Sequence, residues 1–282
     1  MNEIQSKILD IYKEVSRFCE ENNIRYYAIG GTCLGAVRHK GFIPWDDDMD
    51  IAMPIEDFQR FLEIANDGLP NYLKLYLPDE AKHDGNLFTK VMDIRTTMVE
   101  SEMINKKDSY TGVWLDIMPL SGVPSEPPKR KSFVKKARNI LRLNANTKMD
   151  YDARKPLKSK IMWISALPFR LLPSDFFWNK WLIFLNQFPF DNAELTGYVW
   201  SQNLFKFIFQ KKWFDKYIEM PFEDTYIRCP LDYDAFLTQL FGSYMEFPPV
   251  DQRNSGHDFE NGIIDLDHSY LDYQSGDLLI GR

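Results

Sequence analysis

The order of elements in the sequence predicts an α/β (α+β) fold, a small mixed sheet flanked by helices and followed by a mainly helical region. Three observations carry that expectation. Over residues 1–124, helical apolar periods alternate with short runs of β-branched and aromatic residues. A strand-like run enters a Gly-Gly pair in "YYAIGGTCLG" and gives way at once to a helical pattern. Pro124, Pro127 and Pro128 then mark a change of composition, and Lys, Arg, Trp and Phe crowd the stretch beyond them. With 282 residues, 44% of them hydrophobic and 15% aromatic, the chain can bury one large core or two modest ones.

Ile4, Ile8, Ile11, Val15 and Phe18 recur at helical spacing, which predicts an amphipathic helix over 3–21 that ends near Glu21-Asn22-Asn23. "IRYYAIGG" (24–31) predicts a short strand running into a glycine turn, and "TCLGAVRHK" a brief helix that begins at Thr32. "DMDIAMP" predicts a strand stopped by Pro54, and "IEDFQRFLEIAND" a second amphipathic helix with Phe58, Phe61, Leu62 and Ala65 on one side. Separate strands are expected at 72–77, 87–93, 97–100 and 112–120. A helical pattern extends from the basic run to about Phe190, interrupted by Pro168, Pro173 and Pro189. "TGYVW", "KFIFQKKWF" and "MPFEDTYIRCP" predict strands and turns, "YDAFLTQLFG" a closing helix with Gly242 past its end, and Phe247 to Arg282 an irregular stretch. Three regions follow: a core over 1–124, a helical basic and aromatic region over 125–194 suited to acceptor or membrane-surface contact, and a C-terminal mixed region over 195–282 that packs on the core.

A net charge of −7 argues against a nucleic-acid footprint, which needs an excess of Lys and Arg across a face. Cys19, Cys33 and Cys229 stand far apart and are odd in number, which fits reduced thiols. The first residues carry charges where a signal peptide needs an apolar core, and no run reaches the ~18 apolar residues of a membrane span. A cytoplasmic protein is expected, with peripheral contact at the inner face of the plasma membrane compatible with the aromatic segments beside the Lys/Arg run.

The stretch "GFIPWDDDMDIAMP" holds four aspartates within five residues. Strand alternation puts Asp46, Asp48, Asp50 and Ala52 on one face and Asp47, Met49, Ile51 and Met53 on the other. Met49, Ile51 and Met53 then pack inward, which leaves Asp48 and Asp50 side by side. Two carboxylates so placed must share a proton or a cation. Mg²⁺ is the natural cation, because it takes one or two protein carboxylates and completes its shell with water and phosphate oxygens. Asp116 has the same disposition, since Val113, Leu115 and Ile117 alternate into the core around it. A third carboxylate on a nearby strand suits in-line displacement at phosphorus. Asp47 is expected to be structural or capping, and Asp46 a neighbour of the working pair. A calcium loop is excluded by Ile51 where glycine is required.

Gly30 and Gly31 at a strand-to-helix turn expose backbone N–H groups, with Thr32 as cap or ligand, and together make a phosphate site. Arg38, His39, Lys40 and Lys90 are the local cations by sequence logic, with Arg38 suited to bidentate contact and Lys90 within reach. Trp45 is either core packing or part of a base or choline pocket. His257, Glu260 and His268, beside Asp258, Asp265 and Asp267, are expected to be solvated loop residues rather than a second metal site.

"YYAIGGTCLGAVRHKGFIPWDDDMDIAM", followed by "KVMDIRTT" and "GVWLDIMPLSGVP", closely resembles the LicD family of the nucleotidyltransferase superfamily, which includes phosphocholine transferases. The resemblance is specific over 26–54 and weaker to 124, and "FPPVDQRNSGH" resembles a further family segment. It implies a nucleotidyltransferase-like core and transfer of phosphocholine from CDP-choline, with release of CMP, to a sugar hydroxyl of a cell-surface glycan such as teichoic acid, lipopolysaccharide or a capsule precursor. The acceptor would be a lipid-linked precursor. Carried over, Asp48 and Asp50 would be the metal-binding pair, Asp116 the third carboxylate, and Gly30, Gly31 and Thr32 would hold donor phosphate; with Mg²⁺ (or Mn²⁺) on these carboxylates, Asp116 is also the expected general base. Other readings stay open at this point: another phospho-alcohol from a related CDP-alcohol donor, a D-x-D glycosyltransferase, or a non-enzymatic adaptor at a membrane surface.

Overall fold

The computed structural model describes residues 1–150, 156–198 and 204–278. The chain opens on α1 (Glu3–Glu21), whose start is fixed by a capping box in which Asn2 accepts from the Gln5 N–H and Gln5 from the Asn2 N–H. β1 (Tyr27–Ala28), α2 (Gly30–His39), β2 (Asp50–Pro54), α3 (Ile55–Gly68), β3 (Leu73–Tyr76), β4 (Thr89–Val99) and β5 (Thr111–Val123) follow. Three helices come next, α4 (Pro127–Lys148), α5 (Leu157–Ala166) and α6 (Phe176–Asn186). The rest of the chain supplies β6 (Leu195–Gly197), β7 (Ile208–Gln210), β8 (Tyr217–Phe222), β9 (Thr225–Pro230), α7 (Tyr233–Phe241), β10 (Ile263–Asp265) and α8 (Tyr270–Ser275).

The main sheet has the order β1-β2-β5-β4-β10, with β3 also on β4 and β6 linking β5 to β7. β2 and β5 are parallel and the other pairs antiparallel, so the sheet is mixed as expected. Strand alternation divides it into two faces. Ile51, Met53, Val91, Val113, Leu115 and Ile117 are fully buried on one face, where α1 and α3 pack. Asp50, Lys90, Trp114, Asp116 and Met118 line the other.

Three elements differ from the sequence expectation. α2 begins at Gly30 rather than Thr32, because Gly30 adopts a φ of +52° and turns the chain into the helix two residues earlier. β2 begins at Asp50, and Asp48 and Met49 approach it outside the ladder. The strands expected at 87–93 and 97–100 are one strand, β4, with a shift of register between Asp93 and Met98. Thr96 spans that irregularity, donating to the Asp93 carbonyl and accepting from the Val113 N–H at 2.8 Å. A Cβ at Gly112 would lie 2.0 Å from the Asp93 carbonyl oxygen, so the kink needs glycine opposite it. Val199 and Trp200 of the "TGYVW" strand lie outside the described residues.

The helical region shares the core of the sheet. Phe58 of α3 meets Trp178 of α6 at 6.2 Å between ring centres, and Phe133 of α4 stacks on Phe184 at 5.0 Å. The stretch after Phe247 is irregular for most of its length, but β10 returns it to the edge of β4 and the Ser101 N–H donates to the Asp258 carbonyl at 2.8 Å. No described helix is long and apolar enough to cross a membrane.

Candidate active site

Register builds the centre of the site. β2 places Asp50 opposite Asp116, and β4, on the other side of β5, places Lys90 opposite the same Asp116. Partners in register point to one face, so Asp50, Asp116 and Lys90 form a row across three neighbouring strands spaced about 4.8 Å apart. Lys90 Nζ lies 3.6 Å from Asp116 Oδ1 and 4.1 Å from the Trp114 ring centre. Trp114 Nε1 donates to Asp116 Oδ2 at 3.3 Å, while Asp116 Oδ1 is buried without a hydrogen-bond partner among the described residues.

The acidic loop is held from below. Gln5, buried in α1, donates through Nε2 to the Asp46 carbonyl at 2.8 Å and to that of Ile43 at 3.3 Å. Met49 is fully buried and anchors the loop between Asp48 and Asp50. A Cβ at Gly31 would sit 2.8 Å from Asp46 Oδ2, so glycine leaves room for that carboxylate against the first turn of α2, where the helix dipole favours negative charge. The carboxyl groups of Asp46 and Asp48 are close enough to share a proton.

Burial and mutual repulsion push this cluster toward protonation. Burial first, then Asp48 and Asp47, raise Asp46 to about 8. Burial raises Asp48 against the pull of His257, and burial with Asp48, Asp116 and Asp46 raises Asp50 well above the ordinary carboxylate range. Burial raises Asp116 to about 6, opposed chiefly by the Lys90 ammonium. Lys90 itself is raised: burial works against its charge, but Asp116, Asp84 and Glu100 outweigh burial.

The remaining sequence candidates separate. Thr32 is buried and its hydroxyl oxygen accepts from the Asp50 N–H at 2.8 Å, so it ties α2 to β2 rather than standing free for a phosphate. Arg38, expected at the donor phosphate, lines neither cavity described below. Its guanidinium donates to the carbonyls of Tyr244 at 2.8 Å and Glu246 at 3.1 Å and lies 5.0 Å from the Phe247 ring centre, which makes it a brace for the chain after α7. Trp45 is half-buried outside both cavities, with Arg253 over its ring at 5.4 Å. Asp47 accepts from His257 Nδ1 at 2.9 Å, the structural role expected of it. His257, expected in a solvated loop, instead packs edge-on against Trp114 and walls the site. Burial opposes its charge, yet the bond to Asp47 and the charges of Asp48, Asp47 and Glu100 raise it to about 9. His268 lies elsewhere, exposed and bonded to Asp265.

Two cavities meet at the row. The larger, about 470 Å³, is lined by Asp48, Asp50, Lys90, Trp114, Asp116 and His257, with Tyr76, Phe88, Asp84, Glu100 and Glu102 further out. The smaller, about 190 Å³, lies between Gly30, Gly31, Tyr198 and Lys206, and shares Asp50 and Met118 with the larger. The Tyr198 hydroxyl is buried there without a hydrogen-bond partner among the described residues. Of the lining residues, Tyr76, Asp84, Glu100, Glu102, Tyr198 and Lys206 are not singled out by the sequence, and His257 is expected only as a loop residue. Only His257 carried a signal, through its place in "FPPVDQRNSGH".

The donor set suits a hard divalent ion: carboxylate oxygens, one orphaned at Asp116, in a site whose negative charge exceeds the positive charge of Lys90 and His257. Among the described residues no three His, Cys, Asp or Glu side chains lie close enough together to hold a metal ion by themselves. Mg²⁺ needs no such trio, since one or two protein carboxylates hold it and phosphate and water complete its shell.

Comparison with known proteins places this geometry in a family. The nucleotidyltransferase domain model of LicD, FKTN and FKRP matches residues 23–88, which contain α2, the acidic loop and β2. The lipopolysaccharide cholinephosphotransferase LicD of Haemophilus influenzae is 30% identical over 273 residues, covering 94% of this chain and 98% of that protein. The human ribitol 5-phosphate transferase FKRP is 47% identical over 38 residues, 14% of this chain and 8% of its own. A likeness that runs nearly end to end in the first of these relatives, over the segments that build the row of Asp50, Asp116 and Lys90, makes this chain a member of the LicD family of phosphotransferases.

Proposed function

We propose that this protein transfers phosphocholine from CDP-choline to a sugar hydroxyl of a cell-surface glycan, on a lipid-linked precursor of lipopolysaccharide, teichoic acid or capsule, and releases CMP. The single observation that carries the reading is the in-register row of Asp50, Asp116 and Lys90, with Asp48 beside it, at the junction of two cavities. Asp48 and Asp50, with Asp116 in reach, would hold Mg²⁺ (or Mn²⁺). Bound there, the ion would neutralise phosphate charge and offset the repulsion among the carboxylates.

The chain's own residues account for the rest. The acceptor oxygen forms a bond to the phosphorus that carries choline, the phosphoanhydride bond to CMP breaks, and the hydroxyl proton passes to Asp116. Burial makes that carboxylate more basic than usual, while Lys90 keeps it ionised near neutral pH. The Gly30–Gly31 turn presents first-turn amides of α2 to the donor phosphates.

The lining of the larger cavity supports choline over a neutral polyol: Asp84, Glu100 and Glu102 stand with the aromatic rings of Tyr76 and Phe88, a combination that attracts a quaternary ammonium by charge, whereas ribitol or glycerol would gain only hydrogen bonds to the carboxylates. Three buried thiols, none in a disulfide, suit a cytoplasmic setting, at the inner face of the membrane where a lipid-linked acceptor would be met. The test is transfer of labelled choline phosphate from CDP-choline to a glycan acceptor, with CDP-ribitol as competitor. Wild-type protein should require a divalent ion and Asp48→Ala should lose transfer, so near-normal turnover by Asp48→Ala would sink the scheme.

A further inference from the structure

The face of the helical region that points away from the sheet is not finished as a solvent surface. On α5, Leu157, Ile161 and Ile164 recur at i, i+4 and i+7 and are 72%, 57% and 57% exposed. The stripe continues through the single 3-10 turn that follows, where Leu167 is 40% and Leu171 is 89% exposed. The opposite side of α5 is the packed one: Ala166 is fully buried and the helix lies against α4. Arg170 locks the 3-10 turn to the end of α4, donating to the Asn146 carbonyl at 3.3 Å and to that of Met149. The apolar stripe is therefore held rigidly outward.

Charge distribution says what covers it. Residues 127–174 contain thirteen Lys and Arg against two Asp and Glu, a local net charge of +11 in a chain whose total is −7. On α4, Lys131, Lys135, Lys136 and Arg138 are exposed and have no acidic partner among the described residues. Lys158 and Lys160 interleave with the stripe itself. A second copy of this chain would bring the same positive charge to an isologous contact and be repelled. An anionic lipid surface matches both features at once, apolar side chains entering the headgroup boundary while ammonium groups meet lipid phosphates.

We propose that the stripe on α5 and its 3-10 extension, flanked by the basic residues of α4, docks this protein on an anionic bilayer as a peripheral, non-spanning anchor. The remainder of the chain carries the compensating negative charge and is repelled from the same surface, which fixes the orientation. The active site is coupled to that anchor. Asn144 of α4 donates to the Gly85 carbonyl at 2.8 Å, Lys148 donates to that of Ala81, and residues 83–86 form one rim of the larger cavity. Docking would thus hold the cavity mouth at a set distance from lipid.

Flotation of the full chain with phosphatidylcholine vesicles, with or without phosphatidylglycerol, tests the proposal independently of any transferase activity. Wild-type protein should float only with the anionic vesicles and be released progressively by salt. Lys135→Gln/Lys136→Gln/Arg138→Gln should weaken binding roughly a hundredfold at low salt, at about fivefold per charge. Ile161→Ser/Ile164→Ser/Leu171→Ser should weaken it at least about tenfold and leave the far-ultraviolet spectrum unchanged, since all three side chains are exposed. Equal binding to neutral vesicles, no binding to either, or unaltered binding of both variants would overturn the proposal. So would a wild-type dimer in sedimentation that the serine variant converts to monomer, because the stripe would then belong to a second copy.

Discussion

Asp50 and Asp116 face each other across one pair of parallel strands, yet neutralising them should move stability in opposite directions. Asp116 and Lys90 form a buried ion pair, with side chains 8% and 14% exposed and Nζ 3.6 Å from Oδ1. At an effective dielectric of about 20 the attraction is about 5 kcal/mol. Asp116→Asn removes the nearest counter-charge of an ammonium that rests on Trp114, leaving Asp84 and Glu100 further off. Truncating one partner of a buried pair costs about 3–5 kcal/mol, but those remaining acids, and relief of a carboxylate that burial and Asp48 hold at about 6, bring the expected loss toward about 1–2 kcal/mol. For a chain of 282 residues that is a fall in melting temperature of about 2–4 °C. Asp50 meets three carboxylates whose combined effect exceeds that of the one ammonium, so Asp50→Asn should leave the melting temperature unchanged or raise it by a few degrees, about 1–3 °C. Both variants should lose transfer by about 10³-fold or more. The assay is thermal unfolding in chelator beside initial rates with CDP-choline. Equal shifts in the same direction, or no loss of stability in Asp116→Asn, would refute the ion-pair argument while leaving the catalytic one untouched.

The His257–Asp47 contact should appear in the pH dependence of stability. His257 is raised to about 9 in the folded protein, above its ordinary value, so its contribution is fully present below about 6.5 and lost as pH rises through about 9. Denaturant midpoints of metal-free wild type and His257→Gln should therefore converge between those limits, and a gap that stays constant or widens would contradict the assignment. Gly112→Ala should destabilise the fold by about 3 kcal/mol or more, because the new methyl meets the Asp93 carbonyl oxygen and the kink of β4 must open. Urea titration reads this directly, and an unchanged midpoint would mean that the two strands are not so closely apposed. Glu100→Gln should raise the KM for CDP-choline about fivefold and leave that for CDP-ribitol unchanged, since only the choline end carries a positive charge. A parallel change for both donors would remove Glu100 from the headgroup end of the cavity.

The parts of the site that were legible in the sequence are those governed by local periodicity. Alternation in "DDDMDIAM" separates the buried Met49, Ile51 and Met53 from Asp48 and Asp50, and the same rule isolates Asp116 within a run of buried residues. α1, α3 and α7 follow their apolar spacing, and Gly242 closes α7 with a positive φ. What escaped reading depends on partners distant in sequence. The kink that joins two expected strands into β4 exists because Gly112 admits a carbonyl from the neighbouring strand. Arg38 looks like a phosphate ligand until Tyr244 and Glu246, 206 and 208 residues later, are seen to occupy it. Thr32 sits beside the glycine turn as its sequence position predicts, but its oxygen serves the backbone of Asp50. His257 joins Asp47 across 210 residues, and no local pattern could announce that pairing.

That last contact has a consequence for biosynthesis. Asp46, Asp47 and Asp48 leave the ribosome early, whereas His257, which faces them, and β10, which pins its segment to β4, come more than 200 residues later. Until then the acidic loop has one wall missing and one cation fewer. Closing so long a loop is entropically slow, so the larger cavity should be among the last features of the molecule to form. A nascent chain can thus assemble most of its sheet and helices while the pocket stays open on one side, and completes that pocket only when the segment around His257 returns to Asp47.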